Sequence, residues 1–251
     1  MNEFKVVCAT QLGSYGMQLW GVSRGGRLHY TFQNGLNARW REKWFVSSKR
    51  DLVSLTAVED SQGVTSLWAV DSNGGLVSNK FWGETPRDDA WVTNPTPPNV
   101  KLALICACEP TDKVGYQFWG VDGNNWLYYQ KERSGWVRWR STQWQGFQKA
   151  TALTAAPDAE GWTSVWALDN GVLLSRGWVG GEWKPMDKLA TNPSPRKSGG
   201  EVVKLARICV CKPGGALGRA LWGVGEEGEL WLQWENLRDG RPMANPLSLP
   251  S

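Results

Sequence analysis

Indole rings flanked by charged side chains recur through this chain, as in Arg39-Trp40-Arg41, Arg138-Trp139-Arg140, and Trp82 followed by Glu84, Arg87, Asp88 and Asp89. An indole offers a flat apolar face on which the C–H face of a sugar ring stacks. Neighbouring Arg, Asp, Glu or Asn supply the hydrogen bonds that sugar hydroxyls need. Further rings of the same kind are Trp44, Trp91, Trp136, Trp144, Trp178, Trp183, Trp231 and Trp234. Two roles fit them: holding a ligand, or packing between neighbouring structural units with Arg stacked over Trp. Strand alternation puts Trp139 on one face and its two arginines on the other, so two adjacent units, and not one strand, would complete a site.

Other reactive residues point elsewhere less well. Cys106-Ala107-Cys108 and Cys209-Val210-Cys211 place sulfurs two apart, on one face of a strand, but zinc wants four ligands and the matching positions elsewhere hold Thr56 and Thr154. A small packed residue explains that position in all copies, and no metal or cofactor is expected. His29 is the sole histidine, with no acid or nucleophile at a fixed spacing. A glycosidase would need one asymmetric pair of acids. Asp122 and Asp169 are candidates, but Asp71 matches them in register, which reads as a repeated turn residue.

The elements that carry these residues follow from a repeat. The chain has 18 Trp against 5 Tyr and 6 Phe, an excess that needs a repeated role. An apolar residue, Trp, Gly or Ala, then Val or Leu recurs around Trp20, Trp68, Trp119, Trp166 and Trp222, at intervals of 48, 51, 47 and 56 residues. Seven or eight residues after each Trp stands Leu28, Leu76, Leu127, Leu173 or Leu230, mostly behind a Gly-x turn. Twelve or thirteen residues before each stands Cys8, Thr56, Cys106, Thr154 or Cys209. Each copy reads as four short strands, in the first copy Lys5–Thr10, Met17–Ser23, Arg27–Gln33 and Arg39–Val46. Five copies of a four-stranded antiparallel unit specify an all-β, five-bladed β-propeller, because one such sheet cannot bury both faces alone. The expected blades are 1–48, 49–98, 99–146, 147–198 and 199–251, all in one domain, with Pro95–Pro98 and Pro193–Pro195 as connectors. The invariant Trp of each copy is expected to pack blade on blade. Odd copies carry Cys and Trp-Gly-Val. Even copies carry Thr, Trp-Ala and a closing Thr-Asn-Pro, a pattern that points to duplication of a two-blade unit.

At these residues the chain resembles the tectonin and tachylectin propeller repeat: a strand ending in Trp-(Gly/Ala)-Val, a polar Gly turn, then Leu-x-Tyr. Trp20–Tyr30 and Trp119–Tyr129 are the nearest copies, and the resemblance covers nearly the whole chain. It implies glycan binding at several equivalent sites between adjacent blades. Copies 2, 4 and 5 depart from it, with Ser78, Ser175 and Leu232 where the Tyr would stand. The residues it and the indole pattern nominate for ligand binding are Tyr30, Trp40, Trp82, Arg87, Trp91, Tyr129, Trp136, Arg138, Trp178, Trp183, Trp231 and Trp234.

Composition limits the rest. The net charge of +4 is mild and basic residues are interleaved with acidic ones, which disfavours nucleic acid. No apolar run reaches the roughly 20 residues of a membrane span, and no secretory signal is visible at Met1–Lys5. Five cysteines, an odd number, fit a reducing compartment. The expectation is a multivalent, metal-independent, non-catalytic carbohydrate-binding protein. It would act on glycans of glycoproteins, glycolipids or cell-surface polysaccharide, in the cytoplasm or released without a signal peptide, with homo-oligomerisation left open. The alternative is a propeller scaffold that binds a protein or peptide.

Overall fold

The structure, a computed structural model, describes residues 4–11, 17–32, 44–59, 64–82, 85–86, 90–108, 116–131, 140–143, 149–157, 163–179, 182–183, 190–191, 203–211, 219–226, 230–235 and 242–246. Within these, the side chains at 11, 17, 82, 85–86, 131, 140–143, 157, 175–179, 182–183, 190–191, 211, 219–220, 222, 230–235 and 242–246 fall outside the description. The described residues are strands and turns, and none of their segments is a helix long and apolar enough to cross a membrane.

Five antiparallel sheets follow one another along the chain. The first is β1 (Phe4–Gln11), β2 (Met17–Ser23), β3 (Leu28–Phe32) and β4 (Phe45–Val46). The second is β5 (Leu52–Glu59), β6 (Val64–Asp71), β7 (Leu76–Trp82) and β8 (Thr85–Pro86), with β9 (Val92–Asn94) also pairing β7. The third is β10 (Leu102–Cys108), β11 (Gln117–Asp122), β12 (Trp126–Lys131) and β13 (Arg140–Gln143). The fourth is β14 (Ala150–Pro157), β15 (Thr163–Asp169), β16 (Val172–Val179) and β17 (Glu182–Trp183), with β18 (Ala190–Thr191) also on β16. The fifth is β19 (Leu205–Cys211), β20 (Arg219–Gly225), β21 (Leu230–Glu235) and β22 (Pro242–Pro246). The expected fourth strand from Arg39 is described only at Phe45–Val46, and the Arg39–Arg41 triplet lies outside the described residues.

The repeat landmarks become one transverse row in each sheet. Cys8, Thr56, Cys106, Thr154 and Cys209 stand opposite Trp20, Trp68, Trp119, Trp166 and Trp222. The same tryptophans stand opposite Tyr30, Ser78, Tyr129, Ser175 and Leu232 on the third strand. The first strand is irregular at one matching place in all five, between Phe4/Val6, Leu52/Ser54, Leu102/Leu104, Ala150/Ala152 and Leu205/Arg207. Such a bulge bends and twists the strand.

The turn after the second strand is set by backbone chemistry. Gly26, Gly74 and Gly171 hold φ of +78°, +81° and +81°, a left-handed conformation that glycine adopts without penalty. In the third copy Asn125 takes the place at φ +63°, which explains why this copy dispenses with the glycine.

The chain divides into compact units at residues 1–142 and 143–251. In the first unit two invariant tryptophans pack on the following sheet, Trp20 against Phe81 at 4.8 Å and Trp68 against Phe118 at 4.3 Å between ring centroids. Leu52 N donates to Gly26 O at 3.0 Å and Leu102 N to Gly74 O at 3.2 Å, so each turn also grips the next first strand. Ile105 N donates to Ser54 Oγ at 3.0 Å and Ala107 N to Thr56 Oγ1 at 3.1 Å. In the second unit Trp166 packs with Ile208, Val210 and Leu221, and Leu205 N donates to Gly171 O at 3.4 Å. Val210 N donates to Thr154 Oγ1 at 3.1 Å. Thr in the even copies is therefore more than a small packed residue: its hydroxyl accepts a backbone amide from the next sheet and locks sheet 2 to 3, and sheet 4 to 5.

Candidate functional site

The nominated residues fall into three groups. Trp40, Arg87, Trp136 and Arg138 lie outside the described residues. Trp82, Trp178, Trp183, Trp231 and Trp234 are placed by their backbone: Trp178 stands opposite Trp183 across β16 and β17, Trp82 opposite Thr85, Trp231 opposite Pro246 and Trp234 opposite Met243. The fourth sheet thus puts two of the nominated tryptophan positions in direct register on its outer strands.

Tyr30, Tyr129 and Trp91 are described in full. Tyr30 is buried in a stack, 5.2 Å from the Trp20 ring at 29° and 5.1 Å from Phe45 at 16°, with Phe32 a further 5.7 Å beyond Phe45. Tyr129 is likewise buried. Trp91 is half-buried against this same cluster, with Lys49 Nζ 5.6 Å from its ring centroid and its buried Nε1 without a hydrogen-bond partner. The junction between the first two sheets is thus filled with aromatic rings and capped by a lysine.

The junction between sheets 2 and 3 is built differently. Ser78 replaces the tyrosine opposite Trp68, and Asn94 Nδ2 donates to Ser78 Oγ at 2.9 Å. The hydroxyls of Ser66 and Tyr116 meet across the junction at 3.4 Å. Gln130 stands opposite Phe118, which packs on Trp68, and directly opposed residues share a face of the sheet. Gln130 is 1% exposed, and its Oε1 has no partner. Between sheets 1 and 2, Gln18 Oε1 accepts from Thr65 Oγ1 at 2.9 Å. Sequence reading passed over Ser66, Ser78, Asn94 and Gln130, which carry neither charge nor ring. The signal was the alternation of Tyr and Ser between copies, together with the Thr-Asn-Pro of the even ones.

The remaining reactive groups have local duties. Asp71 Oδ1 accepts from Asn73 N and Gly75 N, both at 2.9 Å, and Asp122 Oδ1 from Asn124 N at 2.8 Å and Trp126 N at 3.0 Å. Asp122 Oδ2 also accepts from Tyr128 OH at 3.0 Å, and Asp169 Oδ1 accepts from Lys149 N at 2.8 Å. These carboxylates serve turns and strand starts. Cys106 and Cys108 are buried, and burial, then the neighbouring Cys108, push the Cys106 thiol well above its ordinary range, which keeps it from acting as a thiolate.

His29 is buried opposite Gly21 and Val46, edge-on to Phe4 at 5.5 Å, with Nδ1 unpartnered. Burial first, and then the Arg27 cation, hold its pKa below the usual 6.5. The native state therefore favours the neutral ring. Its contribution to stability is complete above pH 6.5 and is lost as the pH falls through the lower folded value. Thermal unfolding followed by circular dichroism should show a midpoint that drops between pH 7 and pH 5. His29→Phe should flatten that part of the profile, and an unchanged slope would remove His29 as its cause.

No protein-family profile matches the chain, and no curated protein matches it by sequence. Solved structures do resemble it. AofleA from Arthrobotrys oligospora is 13% identical over 97% of this chain and 73% of that one, at a TM-score of 0.64. The BP39L lectin from Burkholderia pseudomallei is 17% identical over 97% of this chain and 69% of that one, at 0.57. The Aleuria aurantia lectin, a six-bladed β-propeller with a fucose recognition mode, is 11% identical over 100% of this chain and 99% of that one, at 0.50. At such identities the likeness is one of fold, and it gives this all-β chain of antiparallel sheets the architecture of the β-propeller lectins.

Proposed function

We infer that the chain is a multivalent carbohydrate-binding lectin, metal-independent and non-catalytic. On this reading the five sheets are the five blades of one propeller spanning 1–251, one fewer than the six of the Aleuria aurantia lectin. The tectonin type of the repeat belongs to the same reading and rests on Trp20–Tyr30 and Trp119–Tyr129. The observation that carries the function is the likeness to propeller lectins over nearly the whole chain. The register opposition of Trp178 and Trp183 places two tryptophan positions together on the outer strands of the fourth sheet. Fold alone never fixes function, so the reading stands or falls with binding. Fucose is the first sugar to test, because the Aleuria aurantia lectin recognises it. Weak equivalent sites on one chain would raise avidity for clustered glycans without any new contact.

A glycan array probed with the purified chain, with calcium and again with chelator, tests this. Binding to one coherent sugar class in both conditions is the expected result. Absence of binding to every glycan on the array would end the lectin reading.

A further inference from the structure

The five copies are not equal, and the inequality sorts the sites. Resting on the lectin reading above, we propose that sugar is held at the junctions that follow the even sheets, between sheets 2 and 3 and between sheets 4 and 5, at the place that a tyrosine takes in the first and third copies and a leucine in the fifth.

The first sign is the burial of the invariant tryptophans. Trp20 and Trp119, each opposite a tyrosine, are 1% and 0% exposed, whereas Trp68 and Trp166, each opposite a serine position, are 8% and 6% exposed. In the first copy the tyrosine ring lies on the tryptophan at 5.2 Å and closes the junction. Ser78 removes a six-membered ring from the same register position, and a pyranose is a six-membered ring of similar size.

The second sign is the polar lining left behind. The two sheets that meet at the first of these junctions carry Ser78 Oγ, Asn94 Nδ2, Ser66 Oγ, Tyr116 OH and Gln130 Oε1, neutral donors and acceptors without a charge among them. Gln130 Oε1 is buried and unpartnered, a costly state that a ligand hydroxyl would relieve by donating to it. A neutral, hydroxyl-rich monosaccharide ring matches this set. In the fifth sheet Gln233 holds the register position opposite Leu221 that Gln130 holds opposite Phe118 in the third.

The third sign is rigidity where it is wanted. The hydroxyls of Thr56 and Thr154 accept the amides of Ala107 and Val210, which fixes the paired first strands of these same two junctions. A site held by locked strands loses less freedom on binding.

The test is equilibrium dialysis to saturation with methyl α-L-fucoside, methyl α-D-mannoside, methyl β-D-galactoside and N-acetylglucosamine, each labelled. The chain should take up two molecules of one of these sugars. Ser78→Tyr should leave one, and Ser78→Tyr with Ser175→Tyr none, with thermal melting at or above that of the parent because the ring is one the first and third copies already accommodate. Gln130→Leu, which needs no new volume, should weaken one of the two sites about tenfold. It decides the matter if the tyrosine variants fold poorly. Uptake of more than two molecules, two molecules still held by the double tyrosine variant, or an unchanged affinity in Gln130→Leu would overturn the assignment while leaving the lectin standing. Uptake of none of the four sugars by the parent chain would overturn both.

Discussion

Replacing Trp20 by alanine should remove about 3–5 kcal/mol of folding stability, the range for truncating a large buried aromatic. The ring sits at 1% exposure with three partners at once. It stacks on Tyr30 at 5.2 Å, meets Phe81 of the next sheet at 4.8 Å, and donates Nε1–H to Thr10 Oγ1 at 3.4 Å. The Tyr30–Phe45–Phe32 stack continues outward from it, so the deletion unseats one end of a column as well as opening a cavity. Neighbours held on two sheets cannot both collapse into the space, which places the cost toward the upper end. Guanidinium denaturation followed by far-UV circular dichroism gives the number. A loss under about 1 kcal/mol would mean that the ring is not a blade-to-blade core residue.

The same ring shows how much of the molecule was legible in sequence. Fixed spacing from Cys8 to Trp20 to Tyr30 is the arithmetic of two hairpins, and it came out as direct opposition across β1, β2 and β3 in every copy. Hairpin register depends on nearby residues and turn chemistry, both of which a sequence carries. What lies across a junction depends on stacking of separate sheets, which one copy's sequence does not state. Tyr30 illustrates this: the repeat nominated it for ligand binding, and packing buries it between Trp20 and Phe45. Thr56 illustrates the converse. A residue read as small and inert turned out to accept the Ala107 amide, a bond between residues 51 positions apart. The outer strands stayed least legible, because pairs as short as Phe45–Val46, Thr85–Pro86 and Glu182–Trp183 carry too few residues for a period to show. The alternation of odd and even copies was visible from the start. What these positions touch needed the packed sheets, where Tyr30 lies on Trp20 and Ser78 accepts from Asn94.

Gly74→Ala should cost about 3 kcal/mol, while Gly25→Ala, at a matching turn one copy earlier, should cost less than about 0.5 kcal/mol. Two penalties add at Gly74. Its φ of +81° strains any residue with a Cβ, by about 1–2 kcal/mol. The new Cβ would also lie 2.6 Å from Lys101 Cβ and 2.7 Å from Lys101 Cα, so backbone and not a flexible side-chain tip must yield. Overpacking of that kind costs about 1–3 kcal/mol. The backbone that must yield belongs to the grip between sheets 2 and 3, where Leu102 N donates to Gly74 O at 3.2 Å. At Gly25 nothing lies within 4 Å of an added Cβ, so the same substitution there only trims the freedom of the unfolded chain. Side-by-side denaturation of the two variants separates turn composition from turn position. Equal losses would show that the turn does not grip the next sheet; a loss confined to Gly74 makes this glycine a joint that fixes the second sheet against the third.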